Sequence, residues 1–228
     1  MSDDIRVINV DIPGPAGQLE GLINVKPDSQ PRAIAVLAHP LPTAGGTMHT
    51  KAVFHAAKAL ARIDVPVLRF NFRGVGRSAG ALSDGAAGAP NAAAAMGWRG
   101  EQEDFGAALA FMKARYPDVK AIWAGGMSFG SWVAMTVGAA DPHVGALVGI
   151  ACPVNKYDYS AVVSAGKPTF LIHGERDELI SQKEVRKFYA LLPEPKELVI
   201  IDAADHLFDG KVSEVGDAIE DLLQDFNG

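Results

Sequence analysis

Gly126-Met127-Ser128-Phe129-Gly130 is the stretch of this chain whose residue types and spacing read most directly as chemistry. It is a GxSxG pattern lying between an apolar run at 119–125 and a helix-like stretch at 129–140. A sharp strand-to-helix turn holds its serine in a strained conformation, and the flanking glycines let neighbouring backbone crowd it without a Cβ clash. The following helix N-terminus adds partial positive charge beside the hydroxyl. Serine alone is a weak nucleophile, so it needs a base, and the base needs an acid to orient it. When the serine sits on such a turn, acid and base follow later in the chain, the acid first. Three histidines follow Ser128. His143 comes after Asp141-Pro142 at the start of a strand, on the wrong edge of a parallel sheet. His173 ends a strand before Gly174, which suits it to closing that turn. His206 follows the final apolar run in the loop Ala203-Ala204-Asp205-His206, on the edge expected for Ser128, and is the candidate base. For the acid, Glu175, Asp177 and Glu178 compete in the turn after the run at 169–173, with Asp202 and Asp205 as more remote candidates. Asp177 lies furthest round the turn before the next helix, and its short side chain suits a fixed hydrogen bond to an imidazole.

Acyl chemistry also needs backbone N–H groups aimed at the developing oxyanion. Phe129, directly after the nucleophile, supplies one. The second is expected from His39-Pro40-Leu41-Pro42-Thr43, after the apolar run at 33–38. Proline has no N–H, so just past His39 the candidate is Leu41. Other patterns carry less. Gly74-Val75-Gly76-Arg77-Ser78-Ala79 formally matches G-x-G-x-x-A, but an Ala/Gly-rich stretch follows it where a dinucleotide fold needs a helix. No GxxxxGK[ST] phosphate loop exists. His49 and His55 lack the spacing and acidic companion of a zinc pair. Cys152 closes an apolar run and reads as a core thiol. Glu101, Glu103 and Asp104 read as the acidic first turn of a helix.

These residues need a scaffold that brings distant segments to one rim. Residues 5–12 and 18–25 alternate apolar and polar around PGPAG, predicting two antiparallel strands with one wet face each. Continuous apolar runs follow at 33–38, 65–72, 119–125, 145–151, 169–173 and 197–201, as in strands buried on both faces. Helix-like stretches lie between them near 49–63, 99–115, 129–140, 181–191 and 211–226. Strands alternating with helices predict an α/β fold: a mostly parallel, twisted sheet of about eight strands, helices on both faces and an antiparallel N-terminal edge. The 228 residues, 48% hydrophobic and 21% charged, suit one globular domain spanning 1–228. Residues 79–97 are mostly Ala and Gly and predict a loop near the site. A net charge of −6 argues against a nucleic-acid partner. No apolar run approaches a membrane span, and the acidic start Met1-Ser2-Asp3-Asp4 carries no signal or lipidation pattern, so the expected location is the cytoplasm.

GPAGQLEG (14–21), HPLPTAGGTMHTK (39–51), LRFNFRGVGRSAG (68–80), GGMSFGSWVA (125–134), HGERDELI (173–180) and ADHLFDGK (204–211) together resemble the α/β-hydrolases. The likeness is to their small, capless hydrolase subfamily near the dienelactone hydrolases, in family order over nearly the whole chain. It implies an α/β-hydrolase fold without a cap domain, Ser128 as nucleophile, Asp177 as acid, His206 as base, and carboxylesterase-type chemistry. Two departures stand out. Leu41 replaces the second histidine of the family's His-Pro-His-Pro, which makes the acyl pocket more apolar, and residues 84–97 are longer and richer in Ala than is usual. Dienelactone hydrolases proper use a cysteine where this chain has Ser128. The expectation is therefore a serine hydrolase of small, short-acyl esters or thioesters, with no metal or cofactor and a small-molecule ester as partner. A homo-oligomer is compatible with the sequence. The alternatives are an idle fold that binds a small ligand, or acyl-transfer or peptidase chemistry on the same three residues.

Overall fold

The computed structural model describes residues 4–83 and 97–226. The Ala/Gly-rich segment expected near the site therefore falls mostly outside the described residues. In chain order the described elements begin with β1 (Arg6–Gly14), β2 (Gly17–Val25), β3 (Ala33–Ala38), α1 (Lys51–Arg62) and β4 (Val67–Phe70). They continue with α2 (Arg99–Arg115), β5 (Ala121–Met127), α3 (Phe129–Ala140), β6 (Val144–Ile150) and α4 (Ser160–Ala165). β7 (Thr169–Gly174), α5 (Gln182–Leu191), β8 (Lys196–Ile201) and α6 (Val212–Leu223) complete the order. A short 3-10 turn at Pro42–Ala44 interrupts the loop after β3.

The strands form one eight-stranded sheet in the order β1-β2-β4-β3-β5-β6-β7-β8. β1 pairs antiparallel with β2, and β2 antiparallel with β4; every later pairing is parallel. β3, β5 and β6 contain only apolar residues and Gly because both faces are covered. On one face α1 and α6 enclose Val53, Leu60, Trp123, Ile150, Val215 and Ile219. On the other, Phe105, Leu109, Trp132, Met135, Val185 and Phe188 pack beneath α2, α3 and α5. Each such aliphatic or aromatic side chain contributes roughly 1.5–3 kcal/mol on burial, so these two layers hold the sheet's position.

The structure departs from the sequence reading at three elements. β2, expected to keep a wet face, is buried at Leu19 and from Gly21 to Asn24. It lies inside the sheet between β1 and β4, and not at the edge. β8, read as buried on both faces, is only half-buried over most of its length because it is the last strand. α4 was not anticipated; its six residues are too few for an apolar period to register. Between β6 and β7 the chain holds this short helix and loop alone, so no cap domain is inserted there.

Register places the chemistry. Ala38 of β3 pairs with Gly126 of β5, Gly126 with Gly149 of β6, Ile150 with Ile172 of β7, and His173 with Ile200 of β8. The loops after β3, β5, β7 and β8 thus leave from one edge of the sheet.

Candidate active site

Ser128 stands between β5 and α3 at φ 51° and ψ −125°, a conformation sparsely populated by residues other than glycine. The turn is held by its surroundings. Ser128 N–H donates to the Ile150 carbonyl at 2.8 Å, and its own carbonyl accepts from Ser131 N–H at 2.9 Å and from Ser131 Oγ–H at 2.6 Å. Gly130 is required by close approach: a Cβ there would lie 2.3 Å from the His39 carbonyl oxygen and 2.6 Å from that of Ala38. The end of β3 therefore rests directly on the first turn of α3.

His206 reaches this serine from the loop after β8. Its Nε2 is 2.9 Å from Ser128 Oγ, and its Nδ1 is 2.7 Å from Asp177 Oδ2. A carboxylate can only accept, so Nδ1 carries the proton, and Nε2 presents its lone pair to the serine hydroxyl. Asp177 Oδ1 accepts the N–H groups of Leu179 and Ile180, both at 2.9 Å, which fixes the carboxylate within its turn. Burial works against its charge, but the hydrogen bonds from His206, Ile180 and Leu179 outweigh that and hold its pKa below the usual carboxylate value. Gly174 lets the two loops meet, since a Cβ there would stand 2.5 Å from the Ala204 carbonyl oxygen.

The competing carboxylates do not reach the imidazole, although Glu178 Oε2 stands 3.5 Å from the His206 backbone N. Glu175 accepts Ala203 N–H at 2.8 Å, and Asp205 accepts the N–H groups of Leu207 and Asp209. Glu178 and Asp202 are exposed. His143 lies exposed just before β6, bonded to Asp141 on the opposite edge. Cys152 is buried against Met135, and burial pushes its thiol pKa up to about 11.

Phe129 N–H opens α3 and Leu41 N–H lies in the loop after β3; among the described residues neither has an acceptor. That loop is pinned by His39. The fully buried ring donates from Nδ1 to the Pro40 carbonyl at 2.7 Å and accepts Phe72 N–H on Nε2 at 3.2 Å. Burial lowers its pKa to about 4, so it is neutral in neutral solution. Leu41's carbonyl is fixed by the N–H groups of Ala44 and Gly46, each at 3.1 Å.

Two contributors escaped the sequence reading. Ser131 ties the turn from within, and its hydroxyl also lies 3.2 Å from Tyr159 Oη. A serine three residues past another at a helix start is the usual signal for such a bond. His39 was read only as a neighbour of Leu41, because its partner Phe72 lies on a different strand end.

Residues 31–226 match the family model for the alpha/beta hydrolase domain. The chain belongs to that family. A lidless α/β serine hydrolase from Xanthomonas campestris is similar to this α/β-hydrolase at 31% identity, with a TM-score of 0.81 over 95% of this chain and 93% of that one. An α/β serine hydrolase homologue from Coxiella burnetii is 30% identical, with a TM-score of 0.80 over 95% of this chain and 97% of that one. An uncharacterized protein of Rickettsia prowazekii is 34% identical over 218 residues, 92% of this chain and 86% of that protein. Among the described residues of this hydrolase, no helix is long and apolar enough to cross a membrane.

Proposed function

We propose that this α/β-hydrolase cleaves small carboxylic esters or thioesters through an acyl-enzyme on Ser128. The observation that carries the reading is the unbroken hydrogen-bond chain from Asp177 through His206 to Ser128. Ser128 Oγ attacks the carbonyl carbon while His206 Nε2 takes its proton. Asp177 holds the imidazole and stabilises the imidazolium that forms. The Phe129 and Leu41 N–H groups receive the oxyanion, and the helix start at Phe129 adds its dipole. His206 then returns the proton to the leaving alkoxide or thiolate. Water, activated by the same imidazole, releases the acid and frees Ser128. No cap is inserted between β6 and β7, and Leu41 is half-buried in the loop after β3, which suits short acyl groups.

The test is Ser128→Ala against wild type, read by turnover of a short p-nitrophenyl ester and by labelling with a fluorophosphonate probe. Turnover is expected to fall on the order of a million-fold and labelling to vanish. A variant that keeps most of its esterase activity, or a wild-type enzyme that the probe leaves unlabelled, refutes the reading.

A further inference from the structure

Behind the serine, histidine and aspartate stands a second imidazole. His173, next to last in β7, has no solvent exposure. Its Nε2 lies 3.0 Å from the Ile180 carbonyl oxygen. A carbonyl only accepts, so Nε2 carries the proton, and in the neutral ring Nδ1 is a bare lone pair. Among the described residues that Nδ1 has no hydrogen-bond partner. It lies 3.8 Å from Asp177 Oδ2, the same oxygen that His206 approaches at 2.7 Å. A buried polar atom left unpaired is uncommon and costly, so one beside this carboxylate calls for a physical reason.

The reason lies in how the carboxylate is shared. Oδ1 is already occupied by the N–H groups of Leu179 and Ile180, whereas Oδ2 has His206 as its one donor among the described residues. A donor at the position of His173 Nδ1 gives Oδ2 a second hydrogen bond. That bond draws charge away from His206 and weakens the stabilisation of its imidazolium. We propose that His173 is a positioning residue: as the neutral Nε2–H tautomer it ties down the Asp177 turn through Ile180 and reserves Oδ2 for His206. The proposal rests on the acid and base roles given above. The ionisable groups acting on His173 are Asp177, from its own turn, and His206, from the loop after β8; its register partner on β8 is the apolar Ile200. Burial lowers its pKa below 6.5 and the charge on His206 acts in the same direction; together they exceed the opposing pull of Asp177 and the Ile180 bond. The ring therefore stays neutral in neutral solution.

Two substitutions separate the two nitrogens. His173→Gln carries an amide N–H to about the position of Nε2, keeping the bond to Ile180 with nothing to titrate. His173→Asn carries one to about the position of Nδ1, a permanent donor toward Asp177 Oδ2. The Gln variant is expected to keep kcat within about 3-fold. The Asn variant is expected to lose roughly 10- to 100-fold in kcat at unchanged KM, a fraction of what losing the Asp–His bond costs. Its kcat/KM profile is also expected to show the acid limb at lower pH, a change that loss of stability alone does not produce. Imidazole nitrogen spectra of the wild-type enzyme give a reading that needs no variant: a protonated Nε2 and bare Nδ1 at neutral pH. A Gln variant as impaired as the Asn variant, an Asn variant with the wild-type kcat and profile, or a protonated Nδ1 overturns the proposal. His206→Gln and Asp177→Asn in the same assay test the underlying roles. If they keep wild-type turnover, the acid and base assignments fail, and the spectra still report on His173.

Discussion

Acidification should destabilise this protein through His39 before it reaches the ordinary carboxylates. The ring is fully buried, and its Nε2 must stay unprotonated to accept Phe72 N–H. Its pKa of about 4 against an ordinary 6.5 means that the unfolded chain binds the proton first as pH falls. Stability from this group is therefore complete above pH 6.5 and drains away as pH drops toward 4. At roughly 1.36 kcal/mol per pH unit, the full difference comes to about 3 kcal/mol, with about 2 kcal/mol already lost by pH 5. That is a large share of a typical total stability of roughly 5–15 kcal/mol. The assay is urea unfolding followed by tryptophan fluorescence at several pH values, for wild type and His39→Gln. The glutamine offers an acceptor to Phe72 N–H but does not titrate. It costs some packing at every pH, yet its loss between pH 7 and 4.5 should be smaller than that of wild type by about 2–3 kcal/mol. Groups such as His173 and Asp177 titrate in both proteins and cancel in the difference. Parallel curves for the two proteins refute the argument. They would mean that the buried imidazole takes up its proton without losing the tie between Phe72, just past β4, and the loop bearing Leu41.

Two further outcomes follow from the site. Gly130→Ala places a methyl group 2.3 Å from the His39 carbonyl oxygen, backbone that cannot swing aside. It should cost about 1–3 kcal/mol of stability by urea unfolding. Because the displaced segment carries the Leu41 amide, it should also lower kcat on the order of 100-fold. Among p-nitrophenyl esters of graded length, kcat/KM should be greatest for short acyl chains, since no cap builds a deep pocket; a steady rise from acetyl to palmitoyl contradicts this.

Much of the scaffold was legible in the chain itself. Uninterrupted apolar runs marked the inner strands, because a strand covered on both faces has no position that favours a polar side chain. The GxSxG pattern and the position of His206 after the last run put His206 and Ser128 on one rim by topology alone. Which carboxylate meets His206 was less legible. Glu175, Asp177 and Glu178 share one turn; place round that turn and side-chain length favour Asp177 without excluding the other two. What separates them is the path of the backbone: Asp177 Oδ2 lies 2.7 Å from His206, while Glu175 is taken up by Ala203 N–H. The exposure of β8 and the burial of β2 were also out of reach, since lateral order in a sheet depends on crossovers that no local period records.

The primary structure by itself determined which residue types recur at which spacing: the alternating α/β rhythm, the strained serine turn and the order in which serine, aspartate and histidine appear. Only the folded chain decided how distant segments meet, with β3 seated on Gly130, the His206 loop seated on Gly174, and His39 and His173 buried as neutral rings. The division has a physical cause. Burial and backbone preference are local properties that leave a periodic trace in sequence, whereas a hydrogen bond between side chains 29 or 78 positions apart depends on register and closure of the whole sheet.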